Sequence, residues 1–280
     1  MIHMENHTRT KKVFTFEKLE KHRQQLSDVV KKKFNKQILI LTQLIKCQTT
    51  LTDMFLKHLY VKEHLGLSFR SNFLLTHSLL TQPMLSSSAL LLVENGFYGS
   101  SRVLLRQNFE FLIISKYAEL DNSIISRWKK KNEGKDRNNE INITNDVFNK
   151  LESKVRVYHL KDSWVRLCDF CHATHFAQQP PLLPSFEKDS EHIPNAWYTL
   201  DLIFMTIVMS LHLTNILHTK ARRFYLGYEE DPFGDYKKIR TMKKKIKKLI
   251  SDYYMLNISS NINTRKVIGP TIREFKARWE

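Results

Sequence analysis

At 280 residues the chain is long enough to bury a sizeable core as one large domain. Its 45 Lys and Arg against 28 Asp and Glu leave a formal net charge of +17, which favours an anionic partner, nucleic acid before a membrane surface. Only seven Gly and seven Pro punctuate it, and it contains no Walker loop, dinucleotide fingerprint, H-E-x-x-H, kinase set or G-x-S-x-G, which disfavours an ATPase, a dehydrogenase and a serine hydrolase.

Residues 1–12 read as a polar, flexible leader without the apolar core of a signal peptide. From Phe14 to about Val61 a long helical pattern runs through Phe16, Leu19, Leu26, Val30, Phe34, Ile38, Leu41 and Leu44. Its first half has a narrow apolar stripe beside Lys31, Lys32, Lys33 and Lys36, which suits an amphipathic packing helix or a seam for a partner helix. Residues 68–82 continue helically, and Pro83 suits the first position of a new helix.

Residues 84–120 are the most apolar long stretch. Asn95-Gly96 and Gly99 divide it into a helical hairpin, with Ser100 or Ser101 placed to cap the second arm. Arg102, Arg106 and Glu110 recur every four residues in that arm and form one stripe, while apolar residues cover nearly every other direction. Charges in such a buried helix must be paired, so the stripe points at specific partners.

A short helix over 123–131 and a polar loop at 132–142 follow, then a helix with Val147, Phe148, Leu151 and Val155, and then WVRLCDFCHATHF (164–176). Residues 177–194 read as a Pro-rich loop. Asn195 is placed to cap a very apolar helix from Ala196 to about His218. Its apolar run Leu202 to Leu217 is short for a membrane span and carries His212 and Asn215. The last strong element, 236–255, is a basic amphipathic helix with an apolar seam of Ile239, Met242, Ile246, Ile250 and Tyr253. The tail 258–280 is weakly patterned. The expected fold is therefore all-α: a single irregular helical bundle over 13–257, built round the buried hairpin 84–120, with a long N-terminal helix and a basic C-terminal one.

Chemistry concentrates in 164–176. Cys168-Asp-Phe-Cys171-His172 matches the C-x-x-C-H haem string, but that attachment needs export. Cys168, Cys171 and His175 could ligate zinc, yet no second tight ligand pair exists, and a redox dithiol lacks its βαβ setting. No metal or cofactor is expected. Arg166, Asp169, His172 and His175 are spaced by three, so neighbours touch on a helix. There Asp169 can orient His172 as acid or base while Arg166 stabilises a phosphoryl oxyanion. His172, His175 or His212 could also complete the Arg106/Glu110 pair, giving a polar cluster between the 99–120, 164–176 and 196–218 helices; a buried network that fixes helix register is the alternative to a catalytic one. Lys237, Lys238, Arg240, Lys243, Lys244, Lys245, Lys247 and Lys248 form the densest basic run, suited to phosphate contacts or to a solvated face.

Arg166-LCDFC-His172 resembles the R-x(4–6)-H string of the higher eukaryotes and prokaryotes nucleotide-binding (HEPN) superfamily, small all-helical domains that include metal-independent RNases of toxin and defence systems. Leu167 stands where that family often has a polar residue. Residues 84–220 are also similar to a group of uncharacterised bacterial helical proteins, some beside phage-defence genes, that share an Arg-x-x-x-Glu helix (here Arg106 to Glu110) and a later His-bearing helix. These resemblances imply a ribonuclease of an antiphage-defence or toxin system, with His172, Asp169 and Arg166 catalytic, RNA favoured over DNA, and a homodimer that completes the site; the lack of a signal-peptide pattern and the short apolar run lead to the expectation of a cytoplasmic protein with no membrane partner. The alternative is a non-catalytic helical subunit that binds nucleic acid or a partner protein, with a purely structural Arg/Glu/His cluster.

Overall fold

The structure is a computed structural model and describes residues 15–64, 73–120, 164, 167–168, 189–225 and 235–258. Among them are five long helices and no strand: α1 (Phe16–His64), α2 (Phe73–Glu94), α3 (Tyr98–Leu120), α4 (Asp189–Tyr225) and α5 (Asp235–Ile258). They pack on one another as the expected all-α bundle, but its most buried helix is α4, which packs on α1, α2 and α3; the 84–120 hairpin expected at the centre keeps Met84, Leu91 and Val103 exposed.

The hairpin turn shows why the chain reverses where it does. Gly96 takes φ +80°, in the left-handed region that a side chain rarely adopts. Its N–H donates to the Val93 carbonyl (3.0 Å) and the Phe97 N–H to the Leu92 carbonyl (2.8 Å), the Schellman pair that satisfies the last carbonyls of a helix. A Cβ on Gly96 would meet the Leu26 side chain at ordinary contact distance (3.4 Å), so α1 packs over the turn and the positive φ alone calls for glycine. Arg23 of α1 donates to Asn95 Oδ1 (2.8 Å) at the same place.

Small polar residues let α2 and α3 approach closely. Ser101 Oγ donates to the Ala89 carbonyl (2.9 Å), and Asn108 Nδ2 donates to Ser86 Oγ (3.1 Å). Ser101 thus ties the two arms together and does not cap α3, which already starts at Tyr98. Pro83 also departs from expectation. It lies inside α2 and does not begin a helix. A helix-interior proline forfeits one backbone bond and costs about 3 kcal/mol. Here α2 is held against α1, α3 and α4, and that packing outweighs the single lost bond.

α1 is interrupted at Phe34 (φ −110°, ψ 17°), and Phe34 itself is buried. Its early stripe, Leu26, Val30 and Phe34, faces the core, so that part of α1 is a packing helix. α4 begins at Asp189, well before the expected cap, and carries Asn195 inside it. Its stretch Asn195–Thr214 is long and apolar enough to cross a membrane by composition, and most of it is buried in the bundle. α5 packs its whole expected seam inward: Ile239, Ile246, Leu249, Ile250 and Tyr253 are buried and Met242 is half-buried. Tyr253 stacks on Phe204 of α4 (4.1 Å between centroids, 9° between planes), and its hydroxyl donates to Asp201 Oδ1 (3.1 Å).

Candidate functional site

Two sets of basic side chains occupy opposite environments. The first is the stripe on α3. Arg102 is only 3% exposed. Its Nε donates to Thr199 Oγ1 (3.1 Å), and its Nη2 donates to Asn195 Oδ1 (3.0 Å) and to the Asn195 carbonyl (3.4 Å). The guanidinium also lies over the Tyr198 ring, 5.4 Å from its centroid. Burial pushes the Arg102 pKa down to about 10, against the pull of Tyr198 and Tyr98, so it stays charged near neutral pH. Burial likewise pushes the Tyr98 hydroxyl up to about 12.

One turn further on, Arg106 Nη2 pairs with Glu110 Oε1 (3.0 Å), both side chains about a quarter exposed. The same oxygen accepts a hydrogen bond from Trp164 Nε1 (3.3 Å). The stripe therefore joins α3 to α4 through Arg102 and to the Trp164 segment through Glu110. Its contacts are those of a network that fixes how helices sit against each other.

The second set lines a groove of about 550 Å³ between α1 and α5. Lys46 stands on the α1 side, and Lys237, Lys238 and Lys245 on the α5 side. Cys47, Thr50, Thr241 and Met242 complete the lining. The two threonines turn their hydroxyls back on their own helices, Thr50 to the Lys46 carbonyl (2.9 Å) and Thr241 to the Lys237 carbonyl (3.0 Å), and the four lysines are the charged residues of the lining. Burial raises the Cys47 thiol pKa while the nearby Lys245 ammonium works against it, so this cysteine is held as a neutral thiol and not as a reactive thiolate. Four cationic side chains from two rigid helices, reaching one open-sided groove, make a place for an anion with more than one charged group.

The expected site residues fall into four groups. Arg102, Arg106 and Glu110 come together as a stripe, with the partners just given. His212 is half-buried on α4, about 20 Å of helix beyond Thr199. Arg166, Asp169, His172 and His175 lie outside the described residues. Of the basic run, Lys237, Lys238, Arg240, Lys244, Lys245 and Lys248 are exposed, and Lys243 and Lys247 half-buried. Among the described residues no three His, Cys, Asp or Glu side chains gather as a metal-ligand set.

Sequence reasoning missed Lys46, Cys47 and Thr50 as the opposite wall of the groove, because nothing local links residue 46 to residue 237. It also missed Trp164, Asn195 and Thr199. Trp164 carried a usable signal: a partly buried indole N–H needs an acceptor. Asn195 and Thr199, four apart on one face of α4, were legible as a polar pair only once Asn195 is placed inside the helix.

No protein-family model, no curated protein and no solved structure matches the chain. The functional reading rests on its own residues.

Proposed function

We propose that the chain is an all-helical nucleic-acid-binding protein that holds a phosphate backbone in the groove between α1 and α5, and that the Arg102/Arg106/Glu110 stripe is structural. The observation that carries this reading is the convergence of Lys46, Lys237, Lys238 and Lys245 on one open groove. An open-sided groove rimmed by point charges, without a backbone cradle or a planar Arg fork within it, suits a polymer's repeating charge better than one small phosphorylated molecule. The exposed Lys244 and Lys248 and Arg240 continue the charge along α5, over about 16 Å of helix from Lys237 to Lys248. RNA is preferred over DNA as the partner through the resemblance of Arg166-LCDFC-His172 to the HEPN string, which also offers the second function, metal-independent RNA cleavage in an antiphage-defence or toxin system.

Binding is tested by fluorescence anisotropy with labelled single-stranded RNA, single-stranded DNA and duplex DNA at about 50 to 200 mM salt. Wild type should bind with affinity that falls steeply with salt, and Lys237→Gln/Lys245→Gln should reduce the slope of log K against log salt by about 2. A folded protein that binds none of the three at low salt would sink the reading. The same RNA, incubated in EDTA with wild type and His172→Ala, separates binding from cleavage: RNA left intact by wild type leaves a binding protein, while cleavage lost in the variant adds the ribonuclease.

A further inference from the structure

The α1 wall of the groove belongs to a stretch without acid: from Val29 to Thr52 the helix carries five Lys and no Asp or Glu. The α5 wall is alike from Tyr236 to Ser251, with eight Lys and Arg and no acid, and its run ends at Asp252. The start of α1 is different, since Lys18, Lys21 and Arg23 are interspersed there with Glu17 and Glu20, and Arg23 Nε donates to Glu20 Oε2 (2.9 Å). The groove does not take up all of the acid-free charge. Lys36, Gln43, Cys47 and Thr50 fall at intervals of seven, four and three residues, so Lys36 shares the face of α1 that lines the groove. It stands about 15 Å of helix from Lys46. Lys32 adds a charge one turn further on, and both side chains are exposed. Lys31 is engaged elsewhere: its charge draws down the Glu94 carboxyl, which burial pushes up. The one exposed side chain between Lys36 and Lys46 is apolar, Leu39, at 56%.

Resting on the groove reading above, we infer that the bound polymer is a single strand of nucleic acid that leaves the groove along α1, its phosphates passing from Lys46 to Lys36 and Lys32 and a base lying on Leu39. Charge sets the path. Beyond the groove α5 meets an acid at Asp252, whereas α1 stays basic for two further turns and more, so a polyanion is drawn along α1. Leu39 and the groove's width select one strand. A duplex keeps its base faces stacked inside, while a single strand presents them to an exposed apolar side chain. A duplex is also stiff, with a persistence length of about 150 bp, and cannot bend from a groove between helices with axes about 8–10 Å apart onto the outer side of one of them. The described lining of the groove holds no Arg, Asn, Gln or aromatic side chain, the usual readers and stackers of bases. Binding is therefore independent of sequence, with lysines on phosphate supplying most of it.

The test is fluorescence anisotropy of the full chain with labelled oligouridylate of about 5 and about 20 nucleotides, and with a duplex of the longer length. Lys32→Gln/Lys36→Gln should weaken binding of the longer strand about tenfold and lower its salt slope by about 2, with the short strand unaffected. Lys237→Gln/Lys245→Gln should weaken both lengths. Leu39→Ser should weaken the longer strand about threefold at an unchanged salt slope. Lys18→Gln/Lys21→Gln removes the same charge outside the track and should leave affinity within about twofold. All these side chains are exposed, so helicity by circular dichroism should match wild type. Loss of affinity in the groove variant but not in Lys32→Gln/Lys36→Gln overturns the track and leaves the groove reading standing. Equal losses in the track variant and in Lys18→Gln/Lys21→Gln reduce the effect to net charge and overturn the track as well. A duplex bound more tightly than the single strand overturns the choice of strand. A folded wild type that binds neither length removes the groove reading, and this inference with it.

Discussion

Arg102 and Lys245 carry the same charge on two helices of one bundle, and their surroundings give them opposite duties. Arg102 is out of water, held by Thr199 and Asn195 and roofed by Tyr198; its burial is a standing cost that its hydrogen bonds offset. Lys245 stands exposed at a groove edge with Lys46, Lys237 and Lys238 nearby. Mutual repulsion among them is relieved when an anion arrives. A count of basic residues merges the two. Burial separates a charge that organises the fold from charges that stay within reach of an anion.

Substitutions sharpen this contrast. The largest effect is expected at Arg102. Arg102→Leu removes the donor to Asn195 Oδ1 and Thr199 Oγ1 and should lower unfolding free energy by about 3 kcal/mol, measured by urea denaturation. Wild-type stability in this variant would show that the buried network does not hold α3 to α4. Next come the groove lysines: Lys237→Gln/Lys245→Gln should weaken RNA binding at least about tenfold, or 1.4 kcal/mol, while the urea midpoint stays within about 0.5 kcal/mol of wild type, as exposed surface changes do. Equal RNA affinity would break the comparison on its functional side. Tyr253→Phe removes the hydroxyl that donates to Asp201 and should cost about 1 kcal/mol, visible in the thermal midpoint. The smallest shift belongs to Glu110→Gln, since the Arg106 pair is about a quarter exposed and such pairs contribute roughly 0.2–1 kcal/mol.

Much of the fold was legible because local chemistry and tertiary packing agree. The Asn95-Gly96 turn needed a left-handed residue, and only glycine adopts that conformation without strain. The α5 seam was visible because its apolar residues repeat at helical spacing between lysines. Disagreement arose where packing overrode a local preference. Pro83 signals a helix start, yet α2 runs through it because the helix is held against α1, α3 and α4. Asn195 signals a cap, yet it lies inside α4 and spends its side chain on Arg102. The stripe on α3 was legible as needing partners, but not which ones, since Asn195 and Thr199 lie more than ninety residues away along the chain. The groove was half legible: its α5 wall is a dense basic run, and its α1 wall is one lysine among many.

The stack of Tyr253 on Phe204 has a consequence for how occupancy of the groove can be read. It anchors α5 to α4 while Lys237, Lys238 and Lys245 of α5 line the groove with α1, so the two walls exist as a pair only in the folded chain. A ligand that bridges Lys46 and Lys245 therefore binds the native state and not the unfolded one. By mass action it stabilises the fold, by about 2.7 kcal/mol when present at a hundred times its dissociation constant. The melting temperature becomes a label-free gauge of binding, rising with each polyanion in proportion to how well it spans the two helices.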